Sequence, residues 1–379
     1  MKNPAKALIT LLLLAAFGGA AYFSVHQTTL APGSASAIGG LLAPAAPVEL
    51  TGLIALDVEP YFKDPRVIKV LADNRITANV KRIGSRDMAA QAVPGQSPDF
   101  FFPSGVVAAN QIGDAAKNAK LATTVYSPFY TPMVIASWTP IAQILAANGM
   151  AKEVQPKVWN VDTAKLVQAM LDKKRWKDLK AAQAYDVGKS VLVSTTDVRK
   201  SNSAAMYLGL TSYIINSNDI VTDKATAQKV ALRVAELFKR QGYQENYVNG
   251  NFDDYASIGM GKTPLAFIYE NQLMAYALAK KGVAADMVLM YPQPTIINKV
   301  VFVAASERAK ALGELLSTNA ELQRIAVDYG FRMGDTAAFA QAAKATGLAI
   351  EERITQVIDP PSFEIMGEMI EGIAREMGQ

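Results

Sequence analysis

The chain has 379 residues, a formal net charge of +4, no cysteine and one histidine, His26. The last two facts exclude disulfides, thiolate nucleophiles, Cys/His zinc sites and Ser-His-Asp chemistry from everything beyond that histidine. Half the residues are hydrophobic and 19% are charged, enough for a substantial core. Charges of both signs are interspersed without a basic cluster, so nucleic-acid binding has no support.

Lys2 and Lys6 precede an uncharged run at 7–25, ALITLLLLAAFGGAAYFSV. A basic start followed by an apolar stretch is a secretory or membrane-insertion signal, with the lysines held in the cytoplasm. Gly19 and Ala21, or Gly18 and Ala20, have the spacing of a cleavage site. The length of the run also approaches the ~20 residues needed to cross a bilayer as a helix. Residues 1–25 are therefore expected to be either a cleaved signal peptide or a retained anchor, and no cysteine follows that could carry a lipid. Residues 26–47, rich in Ala, Gly and Pro, read as a flexible tether. The remainder is expected outside the cytoplasm, in the periplasm or its equivalent, with membrane contact through 7–25 if that segment is kept.

From residue 48 the pattern alternates between strand and helix, the mark of an α/β domain. Strands are predicted at 50–56, at 76–80 (apolar Ile76, Ala78 and Val80 alternating with polar neighbours), and at 99–102, 133–138, 191–195, 265–269, 287–291 and 299–305. Between them, Ala227, Val230, Ala231, Val234, Leu237 and Phe238 form a helical stripe stopped by Gly242. Thr318 and Glu321 have capping-box spacing for a helix ending at Gly330.

In an open α/β sheet, ligands sit beyond the carboxyl ends of the strands. Four places satisfy that rule: Asp57; Ser104 and Gly105; the run 195–205, TTDVRKSNSAA; and Glu270 with Asn271 after Tyr269. In the third, Thr196, Asp197, Ser201, Asn202 and Ser203 lead into a helical pattern. Hydroxyls, amides and free N–H groups at a helix start suit a polar or anionic ligand, although Ser201 or Ser203 as a simple helix cap would explain the same residues. Ser104 and Gly105 repeat the arrangement on a smaller scale. Asp197 and Glu270 are carboxylates that a hydrolase would need as acid and base. Without a histidine or a metal cluster beside them, ligand hydrogen bonding or capping explains them better. GMGKT at 259–263 lacks the first glycine of a phosphate loop, Ala256 standing there, and Pro264 follows it, so it reads as a loop carrying a lysine.

Several segments together resemble the type II extracytoplasmic solute-binding proteins that serve ABC transporters. They are PDFFFPSG at 98–105, VYSPFYTPMVIASW at 125–138, WKDL at 176–179, the 195–205 run, Tyr291-Pro292, and NAELQRIAVDYGFRMG at 319–334. The resemblance is greatest to the molybdate-like and von Willebrand-associated branch. Val198, Asn202 and Gln293-Pro294 depart from it, all around the presumed pocket. The resemblance implies a two-lobed α/β clamshell, each lobe a mixed sheet flanked by helices, with two crossing strands as hinge. Lobe one takes 48–132 plus 296–379, and lobe two takes 133–295. It implies a ligand set of Asp57, Ser104, Gly105, Thr196, Asp197, Ser201, Asn202, Ser203, Glu270, Asn271 and Tyr291, with no catalytic residue, metal or cofactor. The partners it implies are a small polar solute, an oxyanion being one candidate, and an inner-membrane transporter permease. A membrane-tethered accessory or sensor protein of the same shape is the alternative, and a carboxylate-dependent hydrolase a third reading.

Overall fold

The computed structural model describes residues 46–242, 244, 249–280 and 282–378. The leader or anchor expected at 1–25 and nearly all of the 26–47 tether lie outside the described residues. Among those described, no helix is long and apolar enough to cross a membrane.

Nine strands run in the order β2-β1-β3-β9-β4-β8-β6-β5, with β7 on a further edge of β4. Their ranges are β1 Val48–Ile54, β2 Ile76–Arg82, β3 Phe100–Phe102, β4 Thr124–Trp138, β5 Ala151–Gln155, β6 Val158–Asp162, β7 Ala266–Tyr269, β8 Met287–Gln293 and β9 Ile297–Ala304. β1 is parallel to β2 and β3, and β9 runs antiparallel to both β3 and β4. The long strand β4 belongs to both halves. Residues 124–132 pair with β9, while Met133–Ala136 pair with β7 and Ile135–Trp138 with β8. β4 and the β8–β9 passage are thus two of the connections between halves.

Burial follows the strand period. Phe100 and Phe102 pack with Leu50, Ile54 and Phe302 on one face of the first sheet, and Phe101 packs with Val301, Val303 and Ile112 on the other. A sheet covered on both faces needs continuous apolar strands, which is why FFF and VVFV carry no polar residue. The second half has its own core, running from Met133 to Ile296.

Three expectations are corrected. The strand at 191–195 reduces to a single parallel bridge, Ser194 with Ala266, because its neighbour β7 is only four residues long. The hairpin β5–β6 was missed: β5 is exposed along most of its length, so its apolar alternation is weak. The helix Ala320–Asp328 is capped by Asn319, whose Oδ1 accepts from the N–H groups of Glu321 and Leu322, whereas Thr318 bonds back to the Glu314 carbonyl. Gly330 does end the helix, at φ 77°, and GMGKT is a loop whose Lys262 pairs with Asp254.

The assignment of 296–379 to one lobe also needs amending at its end. Helix Phe363–Glu376 buries Ile365, Met366, Met369 and Ile373, a stripe at helical spacing, against the second core. Its main partner is helix Lys224–Lys239, where an added Cβ on Gly372 would touch Ala231 at 3.0 Å. Ion pairs Lys224–Glu364 and Lys239–Glu376 flank that seam. Phe339, Ala343, Leu348 and Ile350 join the same core.

Candidate ligand-binding cleft

A cleft of about 540 Å³ opens between the two halves. From the first half it is lined by Ala55 and Leu56 after β1, by Arg82–Asp87 after β2, and by Ser104, Val107, Ala108 and Gln111 after β3. From the second half come Arg199–Asn202, Ala205 and Tyr269, together with Phe363, Met366 and Gly367 of the C-terminal helix.

Two helices begin at this cleft, one from each half. Val106–Asn118 has Gly105 as N-cap, and Asn202–Ile215 has Ser201. Neither N-cap makes a side-chain capping bond. The helix-cap explanation of Ser201 and Ser203 therefore does not hold. Thr196 Oγ1 donates to Ser201 Oγ at 2.7 Å, and Ser203 Oγ lies 2.9 Å from both, a closed triangle of buried hydroxyls. The triangle fixes the loop and leaves the N–H groups of the first helical turn unbonded by side chains. Unpaired N–H groups and the helix dipole together favour an anion.

Gly105 brings the two helix starts close. Its φ of 103° and ψ of 163° lie in a region open to glycine alone. A Cβ there would sit 2.5 Å from Asn298 Oδ1 and 3.1 Å from Asn202 Nδ2. Asn298, on the crossing strand β9, is 1% exposed, and neither its Nδ2 nor its Oδ1 has a partner. Asn202 Nδ2 donates to the Tyr269 hydroxyl at 2.9 Å. Ser104 donates from its backbone N–H to Ser85 Oγ and from its hydroxyl to Asp57 Oδ1, at 2.9 and 2.5 Å. Burial raises the Asp57 carboxyl above its ordinary value although Ser104 and backbone donors pull it down.

The halves also touch through Arg86. Its Nη1 donates to the carbonyl of Arg199 at 2.9 Å and its Nη2 to that of Val198 at 3.2 Å. Burial lowers the Arg86 guanidinium from its usual value, against the pull of Asp197 and Asp87. Asp197 is buried beside it. Desolvation pushes that carboxyl up, but hydrogen bonds from the Arg199 side chain and backbone win, and it stays below its usual value. With Arg82 and Lys200, the cationic side chains of the cleft outnumber Asp87 and Glu371.

Of the residues singled out in the sequence, Ser104, Ser201 and Asn202 line the cleft. Asp57, Gly105, Thr196, Asp197 and Ser203 stand directly behind them. Glu270, Asn271 and Tyr291 are not cleft residues. Glu270 is fully buried, gripped by Arg332 Nε and Nη2 at 2.5 and 2.8 Å and by the Tyr291 hydroxyl at 2.6 Å. Asn271 is buried between Thr131 and Tyr329. Tyr269, the last residue of β7 and the residue just before Glu270, lines the cleft instead. Asp197 and Glu270 are each held in an ion pair of their own, with Arg199 and Arg332 respectively.

Sequence reasoning missed Arg86, although the carboxyl-end rule applies equally to IGSRD at 83–87 after β2. It had no access to Phe363 and Met366, which reach the cleft only through tertiary packing. Among the described residues, no group of three or more His, Cys, Asp or Glu is placed to hold a metal. A second hollow, about 810 Å³, is lined from 149–165, 213–218, 293–294 and 356–358, and holds none of the cleft residues above.

No family model and no curated protein matches the chain. Among solved structures it is similar to an ABC transporter from Clostridium perfringens ATCC 13124, at 13% identity and TM-score 0.52, over 87% of this chain and 100% of that one. It is also similar to a periplasmic thiamin binding protein, at 13% identity and TM-score 0.49, over 89% and 98% of the two chains. A third likeness is to the sulfate-binding protein SubI from Mycobacterium tuberculosis H37Rv, at 14% identity and TM-score 0.47, over 84% and 96%. The first of these likenesses shows the fold alone: the chain is a mixed α/β protein with the two-lobed, type II periplasmic-binding-protein architecture.

Proposed function

We propose that the chain is an extracytoplasmic solute-binding protein that captures a small anion between its lobes and presents it to an ABC-type importer in the membrane. One observation carries this reading: two helix N-termini without side-chain caps, one per lobe, face the same cleft. In this reading residues 7–25 take the chain out of the cytoplasm. Lobe one is 48–132 with 296–336, and lobe two is 133–295 with 337–378, a division supported by the shared core of the C-terminal helix with helix Lys224–Lys239. The resemblance to the molybdate-like branch points in the same direction.

A ligand touching both helix starts stabilises the closed arrangement over the open one, since only closure supplies both sets of donors. A bound anion at 100-fold over its dissociation constant should stabilise the chain by about 2.7 kcal/mol. Thermal shift against phosphate, sulfate and molybdate measures it. Ser201→Ala combined with Asn202→Ala should remove on the order of 1–3 kcal/mol of that gain. An undiminished shift would take the 195–205 loop out of the site.

Asp57 gives the reading a sign. Its raised carboxyl means the folded state holds the proton more tightly than the unfolded one. The resulting stabilisation is full below the unfolded value and is lost as pH rises through the folded one. A negative charge behind Ser104 opposes an anion, so sulfate affinity should rise as pH falls through the raised value of Asp57. Asp57→Asn should bind sulfate more tightly at pH above that value and flatten the pH profile, as titration calorimetry can read. Weaker sulfate binding by that variant would instead mark Asp57 as a ligand-side acceptor.

A further inference from the structure

We infer that the ligand is an organic anion, an acidic head group on an apolar body, and not a bare inorganic oxyanion. The inference rests on the anion reading of the cleft and narrows it to a chemical class. A tetrahedral oxyanion fills on the order of 100 Å³, about three water volumes. The cleft offers about 540 Å³, within the ~300–1,000 Å³ range of sites that enclose organic molecules.

The lining divides by chemistry in the way such a ligand needs. The acidic group has the paired helix starts, Ser104 and Asn202, with Arg86 and Arg199 on the flanking loops. Beside Gly105 the Asn298 amide is buried with both polar atoms unpartnered, and Gln111 Oε1 is likewise buried without a partner on the cleft wall. Polar atoms left unpaired in this way are expensive unless something polar arrives to meet them.

An apolar stretch of the wall comes from the C-terminal helix, which also carries Glu371. Phe363, Met366 and Ile370 face the same space as Val107 and Ala108 of the Val106 helix, against which that helix packs. Phe363 remains 39% exposed there, a large ring left on the cleft rim. Between these side chains stands Gly367, and a Cβ added to it meets no atom within 4 Å. The space beside Gly367 is therefore open, with Phe363 and Ile370 one turn away on either side along the helix.

The test is titration calorimetry on the full chain with two matched pairs of probes: phenylphosphonate against inorganic phosphate, and phenylacetate against acetate. In at least one pair the aryl anion should bind roughly tenfold tighter or better, as burial of a ring surface implies. Benzyl alcohol, uncharged, should bind more weakly than either aryl anion. Gly367→Leu starts its side chain where an added Cβ meets nothing within 4 Å, and it favours the helix, so its melting temperature should equal or exceed the parent's. It should weaken the preferred aryl anion at least tenfold and leave the small partner within about twofold. Equal or tighter binding of the bare anions overturns this inference while the anion site stands, as does an aryl preference that survives Gly367→Leu. Absence of binding by all four anions, or benzyl alcohol binding as tightly as the aryl anions, overturns the anion site and the inference together.

Discussion

Replacing Arg332 by methionine should cost the fold about 3–5 kcal/mol, the largest single loss expected from a polar side chain in this protein. Arg332 is 1% exposed and Glu270 not exposed at all. Besides its two bonds to Glu270, the guanidinium donates to the carbonyls of Glu351 and Glu352, at 2.6 and 3.1 Å, and lies 4.7 Å from the centre of the Phe339 ring. Its backbone bridges Tyr130 on the crossing strand β4. Burial works against the charge, yet Glu270 holds the Arg332 guanidinium above its ordinary value. Methionine matches the length of the stem but abandons a buried carboxylate, and that desolvated charge is the source of the loss. Combining Arg332→Met with Glu270→Leu should recover most of it, because an apolar pair needs no partner. Urea unfolding midpoints of the two variants decide the matter. A loss below about 1 kcal/mol for the single variant would mean that water reaches the pair.

The second large effect belongs to Gly105→Ala. The new methyl would sit 2.5 Å from Asn298 Oδ1 at a φ of 103°, so both strain and contact oppose it. A stability loss of about 1–3 kcal/mol follows from the backbone conformation alone. Binding should suffer separately, since the methyl props apart the two helix starts that meet beside Asn202. An anion that binds the parent should bind at least tenfold more weakly, or about 1.4 kcal/mol. Gly113, in the same helix, is the control. An added Cβ there meets nothing within 4 Å, so Gly113→Ala should be neutral or stabilising by about 0.5–1 kcal/mol. Chemical denaturation and calorimetry on the two variants separate the local strain from any general intolerance of the helix. Parent-like affinity in Gly105→Ala would remove that helix start from the site.

The α/β pattern and most strands were legible because both sheets are covered on their two faces, which demands uninterrupted apolar runs such as FFF at 100–102. What burial did not enforce was not legible: the exposed hairpin β5–β6, and the segment at 191–195 whose short neighbour leaves room for one bridge only. For the candidate cleft, the carboxyl-end rule picked out Ser104, Ser201 and Asn202, which line it, from position in the chain alone. It failed at Glu270, where a carboxylate after a strand looks the same in sequence whether it meets a ligand or an arginine 62 residues on. The pairing with Arg332 depends on how the last third of the chain returns, and nothing local encodes it. The same return carries Phe363 and Met366 into the cleft, which is why the apolar wall had no sequence signal.

Hydrogen–deuterium exchange on the full chain, with and without saturating phenylphosphonate, phenylacetate, phosphate or sulfate, tests the central claim most directly. Closure around an anion predicts protection in two separate peptides at once, at 104–109 and at 201–206, accompanied by the 83–87 loop that carries Arg86. Protection confined to one lobe, protection at 149–165 around the other hollow, or no protection with any of the four anions would contradict it.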